Sequence, residues 1–448
     1  MTKHLIWLLV AALSGSGAAA PSSPAPWEPC ADNAAVSCGT LSLPVDWSRP
    51  GGQRFDLAVA RRPAADPVGT LVYLPAGPGS SGVDAVTDDQ IFGALFPPEI
   101  AARFDIVGFD PRGVRRSHPV RCDSALVERL NAPPPRTETE FAALLDAQAA
   151  VGADCRARTG PLFDHLDSVA AARDVDALRE RLGLRQLNLY ALSYGTVIGQ
   201  MYAERFPARI RTMVLDAVYD HSVDSDRFAV TGARAAQEAF DQFLAWCDGS
   251  TDCSLHGADI RARVAELFAG DESGELTYRI VAPLSQPNLP AAAAVIEGRP
   301  GKNAAAAPTP LPIYIQCADA VNRTTTFAAM QALRGRVQAA APDVRGAPYD
   351  VADLCINPPV PATNPQRPLR APDAPPIMVI NSRFDPPTPY EGAQRVAAQL
   401  GRATLVTYDG MGHGAANRTD CTRGLVLRYL VDTTLPPAGT HCPALPLR

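Results

Sequence analysis

The sequence predicts an α/β fold with a mostly parallel central sheet and helices on both faces. Two continuous apolar runs, 68–74 and 104–109, have the length and composition of strands that are buried on both sides. An amphipathic helical pattern at 164–182 precedes a third apolar run at 187–192, and another helical pattern starts at Gly195. Because helices that alternate with strands form crossover connections, the sheet they join is parallel and covered on both faces.

The composition is that of a globular chain and indicates no charged partner. The chain has 448 residues, of which 46% are apolar and 20% charged, so it can form two domains or one large domain with an insertion. The net charge is −6, and acidic and basic residues are mixed along the chain. The sequence therefore predicts neither a nucleic-acid partner nor a membrane-binding surface, and we expect a monomer.

Residues 1–20 have the pattern of a secretory signal peptide. Lys3 supplies positive charge, 5–13 is a short apolar run, and 14–20 is rich in small residues. We place the cleavage site among the alanines at 18–20. The apolar run is too short to span a bilayer, so the sequence predicts a secreted protein, extracellular or periplasmic.

Ten cysteines follow this segment, and an even number in an exported chain predicts disulfide bonds. Connectivity does not follow from the sequence, but neighbouring cysteines offer short loops. We therefore predict the pairs Cys30–Cys38, Cys122–Cys155, Cys247–Cys253, Cys317–Cys355 and Cys421–Cys442. The alternative is a zinc site, which is disfavoured because the chain contains no Cys-x-x-Cys pair. We expect no metal and no cofactor.

Residues 21–218 are predicted to form the first part of the core. A loop-rich segment at 21–40 comes first. The strands that follow lie at 41–46, 53–62, 68–74, 104–109, 187–192 and 210–215, and the second of them alternates apolar and polar residues. A proline- and glycine-rich loop, 75–82, follows the third of these strands.

Residues 219–370 have a different pattern and are predicted to form a mainly helical cap that is inserted into the core. Helical patterns lie at 228–246, 258–268, 312–321 and 325–340. The stretch 282–309 is rich in Ala, Pro and Asn and has no clear period, and a proline-rich linker at 357–376 ends the insertion.

The second part of the core is predicted at 371–448. Its elements are a strand at 377–381, a helix at 390–400, a last strand at 404–408 and a closing helix at 421–430. Because the strands on either side of the insertion belong to one sheet, residues far apart in sequence can meet at its edge.

The candidate nucleophile is Ser193, which lies between the strand at 187–192 and the helix that begins at Gly195. A serine held on such a tight turn exposes its hydroxyl, an arrangement called a nucleophile elbow. Residues two before and two after the serine must be small because strand and helix nearly touch, and Ala191 and Gly195 satisfy this. The alternative is an ordinary turn with a solvated serine.

A serine hydroxyl needs a base to take its proton and a carboxylate to orient that base. His413 lies between glycines directly after the predicted last strand, which favours a catalytic base over a surface histidine. Asp385 follows the strand at 377–381 and is the favoured acid. Asp216, which also ends a strand, is the main alternative, and Asp110 is a weaker one.

The oxyanion that forms during acyl transfer requires two N–H donors. We expect one from the backbone of Tyr194, the residue after the nucleophile, and one from Gly77 in the loop after the strand at 68–74. A Gly-Pro-Gly loop is by itself most often a turn, and its position after that strand is what favours this role.

Together these motifs resemble the secreted tripeptidyl aminopeptidases of actinobacteria, which are α/β-hydrolases related to proline iminopeptidases. The resemblance rests on the loop 76–82, the segment 108–113, the elbow 192–196 and the pair Asp385 and His413. It runs over nearly the whole mature chain and is weakest in the cap. It implies an α/β-hydrolase fold and the removal of short or proline-linked peptides from free N-termini.

This chain departs from the family pattern at three places. Ala76 and Ala191 stand where glycines are usual, and Arg115 and Arg116 replace a glycine-containing pair. The alanines are compatible with catalysis, whereas the arginines place charge near the expected mouth of the site.

The activity implied by the resemblance requires a carboxylate that binds the ammonium group of a peptide substrate. Asp319 and Asp353 are the candidates, because each lies close to a cysteine that fixes the cap backbone. For each of them, the alternative is a solvated acid or a helix cap. Two other functions compete with the exopeptidase: a secreted esterase or lactonase with the same machinery, and an inactive binding protein.

Overall fold

The computed structural model describes residues 27–271, 275–299, 313–322, 324–346, 355–357 and 360–447. The predicted signal peptide therefore lies outside the described residues. The strands within these ranges are β1 (Glu28–Pro29), β2 (Ser37–Pro44), β3 (Arg54–Arg62), β4 (Gly69–Leu74), β5 (Phe104–Phe109), β6 (Leu187–Leu192), β7 (Ile210–Asp216), β8 (Ile377–Phe384), β9 (Ala403–Met411) and β10 (His441–Cys442).

In the described part of the chain these strands form one sheet in the order β1-β2-β3-β5-β4-β6-β7-β8-β9-β10. The pairs from β5 to β10 are parallel, and β1, β2 and β3 are antiparallel to their neighbours. This is the mostly parallel sheet that the alternating pattern predicts.

Both faces of the sheet are buried. Because successive side chains of a strand point to opposite sides, one strand contributes to the hydrophobic clusters on both faces. In β4, Val72 and Leu74 join one hydrophobic cluster, while Leu71 and Tyr73 join another on the opposite face. This explains why the central strands are continuous apolar runs rather than alternating ones.

The helices before the insertion are α1 (Gly82–Thr87), α2 (Asp89–Leu95), α3 (Pro98–Ala101), α4 (Ser124–Glu128), α5 (Glu138–Thr159), α6 (Ser168–Arg181) and α7 (Gly195–Arg205). The inserted helices are α8 (Ser225–Gly249), α9 (Ile260–Gly270), α10 (Leu276–Ser285), α11 (Leu289–Ile296), α12 (Ile313–Cys317) and α13 (Phe327–Ala340), and α14 (Tyr390–Leu400) and α15 (Asp420–Asp432) follow.

The inserted helices have a hydrophobic cluster of their own, which includes Phe240, Phe243, Ile280 and Leu333. The cluster also contains Met411 from the end of β9. The inserted helices therefore pack on the strand end that precedes His413, and they are not separate from the sheet edge that carries the candidate site.

Several sequence-based assignments differ from the structure, among them the following three. The pattern did not indicate α5, because this helix is rich in alanine and polar residues and buries few large side chains. The stretch 282–309, which has no clear period, contains α11. The strand predicted at 404–408 is not the last one, since the two-residue strand β10 pairs with its outer edge and is too short to predict.

All five predicted cysteine pairs are present: Cys30–Cys38, Cys122–Cys155, Cys247–Cys253, Cys317–Cys355 and Cys421–Cys442. Bonds of this kind persist in oxidising compartments, so they are compatible with an exported protein. Across the described ranges, no helix combines the length and apolar character needed to cross a membrane.

The carboxyl ends of the central strands meet at one edge of the sheet. In the registered pairs, Leu74 of β4 lies beside Ala191 of β6, and Leu192 lies beside Asp216 of β7. At the end of the β8–β9 pair, Phe384 of β8 lies beside Met411 of β9. The loops that carry Ser193, Asp385 and His413 therefore start from the same edge, where open α/β sheets bind their ligands.

Candidate active site

Ser193 occupies a strained turn between β6 and α7. Its φ of 57° lies in the left-handed region, which costs a residue with a side chain of the order of 1 kcal/mol or more. The turn is fixed by the Ser193 N–H, which donates to the carbonyl of Asp216 at 2.9 Å, and by Thr196, whose N–H and hydroxyl both donate to the Ser193 carbonyl. The serine is only 8% exposed.

The small residues around the serine are required by close contact between strand and helix. A Cβ atom added to Gly195 would lie 2.2 Å from the carbonyl oxygen of Leu74. Ala191 is fully buried, and its Cβ lies 3.5 Å from the place where a Cβ on Gly199 would be. An alanine thus fits at the position where the resemblance implies a glycine.

We expect Gly195→Ala to lower the free energy of unfolding by about 1–3 kcal/mol, because the added methyl group clashes with backbone that cannot move away. Thermal unfolding of the purified protein measures this. The control is Gly93→Ala in α2, where a Cβ meets nothing within 4 Å, so its stability is expected to stay unchanged or to rise slightly. Equal melting temperatures for the two variants would contradict the tight elbow.

The loop that carries His413 is held through its backbone. The Gly412 N–H donates to the Phe384 carbonyl at 2.9 Å, and the His413 N–H donates to the Ser285 carbonyl at 2.7 Å. The Arg418 guanidinium donates to the carbonyls of His413 and Gly414. Because Ser285 ends α10, an inserted helix contributes directly to the position of the histidine.

Asp385 contacts the imidazole of His413. The two carboxylate oxygens lie 3.0 and 3.1 Å from Nδ1. Asp385 is fully buried, and the N–H and hydroxyl of Thr388 both donate to it at 3.3 and 2.9 Å. Since a buried carboxylate accepts, Nδ1 carries the proton and Nε2 is directed away from Asp385, ready to act as a base.

The two alternative acids have other roles. The Asp216 carboxylate accepts the N–H groups of Ala415 and Ala416 at 2.7 and 3.1 Å and the hydroxyl of Tyr190 at 2.9 Å. It therefore holds the backbone of the histidine loop and does not bond to the imidazole.

Asp110 binds the loops on the other side of the sheet edge. It accepts a hydrogen bond from the Ser81 hydroxyl, and the backbone N–H groups of Val83 and Arg116 donate to it at 3.2 and 3.1 Å. These contacts fix the start of α1 and the loop after β5, and none of them involves His413.

The hydrogen bond from the serine hydroxyl to the histidine, through which the proton would pass, is not formed in this conformation. Among the described residues, no hydrogen bond joins the Ser193 hydroxyl to His413. Catalytic hydrogen bonds are often long or poorly aligned before substrate binds, and they tighten in the complex with substrate.

The segments of the two predicted oxyanion donors lie against each other. Tyr194 precedes the first residue of α7 with helical angles, and a Cβ on Gly195 would meet the carbonyls of Leu74 and Pro75, which lead into the Gly77 loop. Gly77 has a φ of 120°, and a Cβ there would lie 2.6 Å from the Gly79 nitrogen, so this position accepts only glycine.

Comparison of the sequence with known proteins shows the family of this chain. The model of the TAP-like protein family (Abhydrolase_4) matches residues 345–442, which include Asp385 and His413. Serine protease Hip1 of Mycobacterium tuberculosis is 31% identical over 498 residues, covering 94% of this chain and 91% of the relative. This chain belongs to the TAP-like family of α/β-hydrolases.

Two further relatives carry other names. Carboxylesterase B of Mycobacterium tuberculosis is 30% identical over 451 residues, which cover 90% of this chain and 86% of the relative. Tripeptidyl aminopeptidase of Streptomyces lividans is 28% identical over 477 residues, which cover 93% of this chain and 87% of the relative. The family assignment agrees with the sheet, the inserted helices and the resemblance found in the sequence.

The charges in this TAP-like hydrolase raise the pKa of His413. Burial alone lowers it, but the charge and hydrogen bond of Asp385 and the charge of Asp216 outweigh burial, so the net pKa lies above the ordinary value of 6.5. Arg418 acts in the opposite direction and reduces the shift.

A raised pKa of His413 predicts the pH dependence of the hydrolase. The base must be neutral to accept a proton, so kcat/KM should fall as the pH decreases through that pKa, with the midpoint above 6.5. Asp216→Asn removes one negative charge near the imidazole and is expected to move the midpoint to lower pH. Rates of ester hydrolysis from pH 5 to 9 measure this, and a midpoint that does not move in this variant would contradict the electrostatic assignment.

The structure places Asp319 in a buried position. Its carboxylate is only 3% exposed and accepts hydrogen bonds from the Ser168 N–H and hydroxyl, the Asn364 side-chain amide and the Tyr194 hydroxyl. These contacts favour a structural role over the predicted binding of a substrate ammonium group, which stays a prediction. Asp353, the other candidate, lies outside the described residues.

Three contacts of this TAP-like hydrolase were not found from the sequence. The Thr388 hydroxyl donates to Asp385, and its position three residues after that acid could have indicated this contact. Arg418 lies five residues after His413, but nothing in the sequence shows that its guanidinium folds back onto the loop. The Ser285 carbonyl comes from a distant helix and left no signal.

Proposed function

We propose that this protein is a secreted serine exopeptidase that removes short peptides, of the tripeptidyl or prolyl type, from free N-termini through an acyl-enzyme. The observation that carries the proposal is the hydrogen bond between buried Asp385 and half-buried His413 at the sheet edge where Ser193 lies on its strained turn. The tripeptidyl aminopeptidase relative supports the substrate class.

In the proposed acylation step, the Ser193 Oγ attacks the scissile carbonyl carbon and its proton passes to His413 Nε2. Asp385 stabilises the imidazolium that forms, since it accepts from Nδ1. The backbone N–H groups of Tyr194 and Gly77 donate to the oxyanion.

The tetrahedral intermediate then collapses to the acyl-enzyme. The carbon–nitrogen bond breaks, and His413 returns its proton to the leaving amine of the shortened peptide. Water attacks the ester of Ser193 with His413 again as the base, which releases the short peptide as its carboxylate and restores the serine hydroxyl. Neither step uses a metal or a cofactor.

An exopeptidase of this kind requires a carboxylate for the substrate ammonium group. Asp319 is occupied by its own donors, so Asp353 is the remaining candidate from the sequence. We expect Asp353→Asn to raise KM for peptides with a free N-terminus and to leave ester hydrolysis unchanged. A loss of both activities would assign Asp353 a different role.

The second candidate function is a secreted esterase or lactonase for small acyl substrates, and the carboxylesterase B relative favours it. Both candidates use the same nucleophile, so the acyl group is what separates them. The test is a mixed peptide library with free and blocked N-termini, analysed by mass spectrometry, beside a panel of simple chromogenic esters. Cleavage of short peptides from free N-termini alone supports the exopeptidase, and turnover of esters without any peptide cleavage contradicts it.

We also propose that the signal peptide predicted at 1–20 is removed on export by cleavage among the alanines at 18–20. The disulfide bonds are compatible with an oxidising compartment, although they do not identify the cleavage site. N-terminal sequencing of the protein recovered from the medium or periplasm of an expressing bacterium should begin at 19, 20 or 21. Retention of Lys3 in the exported protein would contradict the proposal.

A further inference from the structure

A buried carboxylate in the inserted segment bonds to the residue that follows the nucleophile. We infer that Asp319 is a positioning residue for the oxyanion hole, and that it acts by fixing the side chain of Tyr194. The inference rests on the proposed serine hydrolase mechanism and concerns how that site is held in place. It is an alternative to the expectation that Asp319 binds substrate.

The contacts of Asp319 define a cluster, which consists of Asp319, Tyr194, Ser168 and Asn364. The Tyr194 hydroxyl donates to Asp319 Oδ2, and Asn364 donates to Oδ1 at 2.6 Å. The Ser168 N–H lies 3.1 Å from both carboxylate oxygens, and its hydroxyl donates to Oδ1 at 2.8 Å. All four residues are buried, so these bonds are not weakened by exchange with water.

The direction of the bond between Tyr194 and Asp319 is fixed by chemistry. Burial, together with the charge of Asp319, raises the pKa of the Tyr194 hydroxyl well above its ordinary value of 10.0. The hydroxyl is therefore protonated at all working pH values and donates to the carboxylate. A hydrogen bond to a carboxylate is stronger than one between two neutral groups, so this bond can hold one conformation of the tyrosine side chain.

Tyr194 is held from two sides. Its ring meets the ring of Tyr219 edge-on, with centroids 6.3 Å apart, while its hydroxyl is bound by Asp319. Because Tyr194 lies directly before α7, a rotation of its backbone that released the side chain would also turn its N–H, the predicted oxyanion donor. Fixing the side chain therefore fixes the direction of that N–H.

The Asp319 backbone is itself fixed. The Cys317–Cys355 disulfide lies two residues before it, and the Asp319 N–H donates to the Gln316 carbonyl at 2.9 Å. The Asn364 N–H donates to the carbonyl of Ala318 at 3.1 Å, and the His221 ring nitrogen Nε2 lies 2.9 Å from the carbonyl of Asp319. The carboxylate is thus a rigid part of the insertion, as a positioning role requires.

The test compares Asp319→Asn and Tyr194→Phe with the parent protein. The first substitution places an N–H₂ group where a carboxylate oxygen now accepts hydrogen bonds, and Tyr194→Phe removes the hydroxyl while the carboxylate stays. Both variants are expected to lower kcat by about 10- to 100-fold, less than the loss of an oxyanion donor itself, with KM within about twofold. The loss should be equal for esters and for free-amine peptides, since both need the oxyanion hole.

A second readout isolates the oxyanion hole from substrate binding. The rate at which a fluorophosphonate labels Ser193 should fall by the same factor as kcat, because its phosphoryl oxygen occupies the same hole. In the double variant the two losses should not add, because both substitutions break one bond.

The matched control is Tyr314→Phe. Tyr314 is a fully buried tyrosine three residues before Cys317, and its hydroxyl has no hydrogen-bond partner among the described residues. The control should keep the parent's kcat and labelling rate. If Asp319→Asn fails to fold, Tyr194→Phe with Tyr314→Phe still provides the comparison.

Three results would overturn the inference: full activity in Tyr194→Phe, a loss in Asp319→Asn that is confined to free-amine peptides, or losses that add in the double variant. A parent protein that cleaves esters but no free-amine peptide would refute the exopeptidase proposal alone, since the Asp319 comparison is then made on esters.

Discussion

Ser193→Ala is expected to lower kcat for every substrate by about 10⁶-fold and to abolish fluorophosphonate labelling. The structure gives the physical reason: Ser193 lies on a strained turn at the sheet edge where the Asp385–His413 pair lies, and alanine offers no oxygen to attack a carbonyl. The fold should be retained, because the substitution removes a single oxygen atom. Ser193 is 8% exposed.

The control for this prediction is Ser124→Ala at the exposed start of α4, which should label and turn over as the parent does. Hydrolysis rates and in-gel fluorescence measure both variants. Continued labelling of Ser193→Ala would show that another residue is the nucleophile. A parent protein that neither labels nor hydrolyses any ester would instead support an inactive binding protein.

Asp385→Asn is expected to lower kcat by roughly 10⁴-fold, because asparagine would turn an N–H₂ group or a weaker acceptor toward Nδ1 and favour the wrong tautomer of His413. Asp216→Asn should have a smaller effect. Asp216 holds the histidine loop through the N–H groups of Ala415 and Ala416 and does not contact the imidazole.

Steady-state kinetics of the two variants on one ester substrate discriminate between the acids. Thermal unfolding is measured in parallel, because Asp216 is buried and its loss is expected to cost stability. If Asp216→Asn abolished turnover while Asp385→Asn remained active, the assignment of the acid would be wrong.

The sequence predicted most of the core because its signals are local. Apolar runs such as β5 are buried on both faces, and their length and composition show this without knowledge of their neighbours. The nucleophile elbow could be predicted in the same way, because the small residues that it requires, Ala191 and Gly195, lie two positions before and after Ser193. The cysteine pairs followed from short loops, and all five are present.

The insertion was predicted less well, and Asp319 shows why. Its position near Cys317 indicated a fixed carboxylate, but the sequence could not show what surrounds it. The donors come from Ser168, Tyr194 and Asn364, which are separated from it by 151, 125 and 45 residues. Only folding brings them together, and their contacts favour a positioning role for Asp319 over the binding of substrate.

By itself, the sequence determined which residues are the candidates for catalysis, their order along the chain and the strand ends that carry them. The tertiary structure alone decided that Asp385, rather than Asp216, faces the imidazole of His413, although both acids end parallel strands. The physical reason is that residue type and strand position depend on neighbours in the chain. The direction of a side chain at a strand end depends on backbone donors such as Ala415 and Ala416, which reach the site from a different loop.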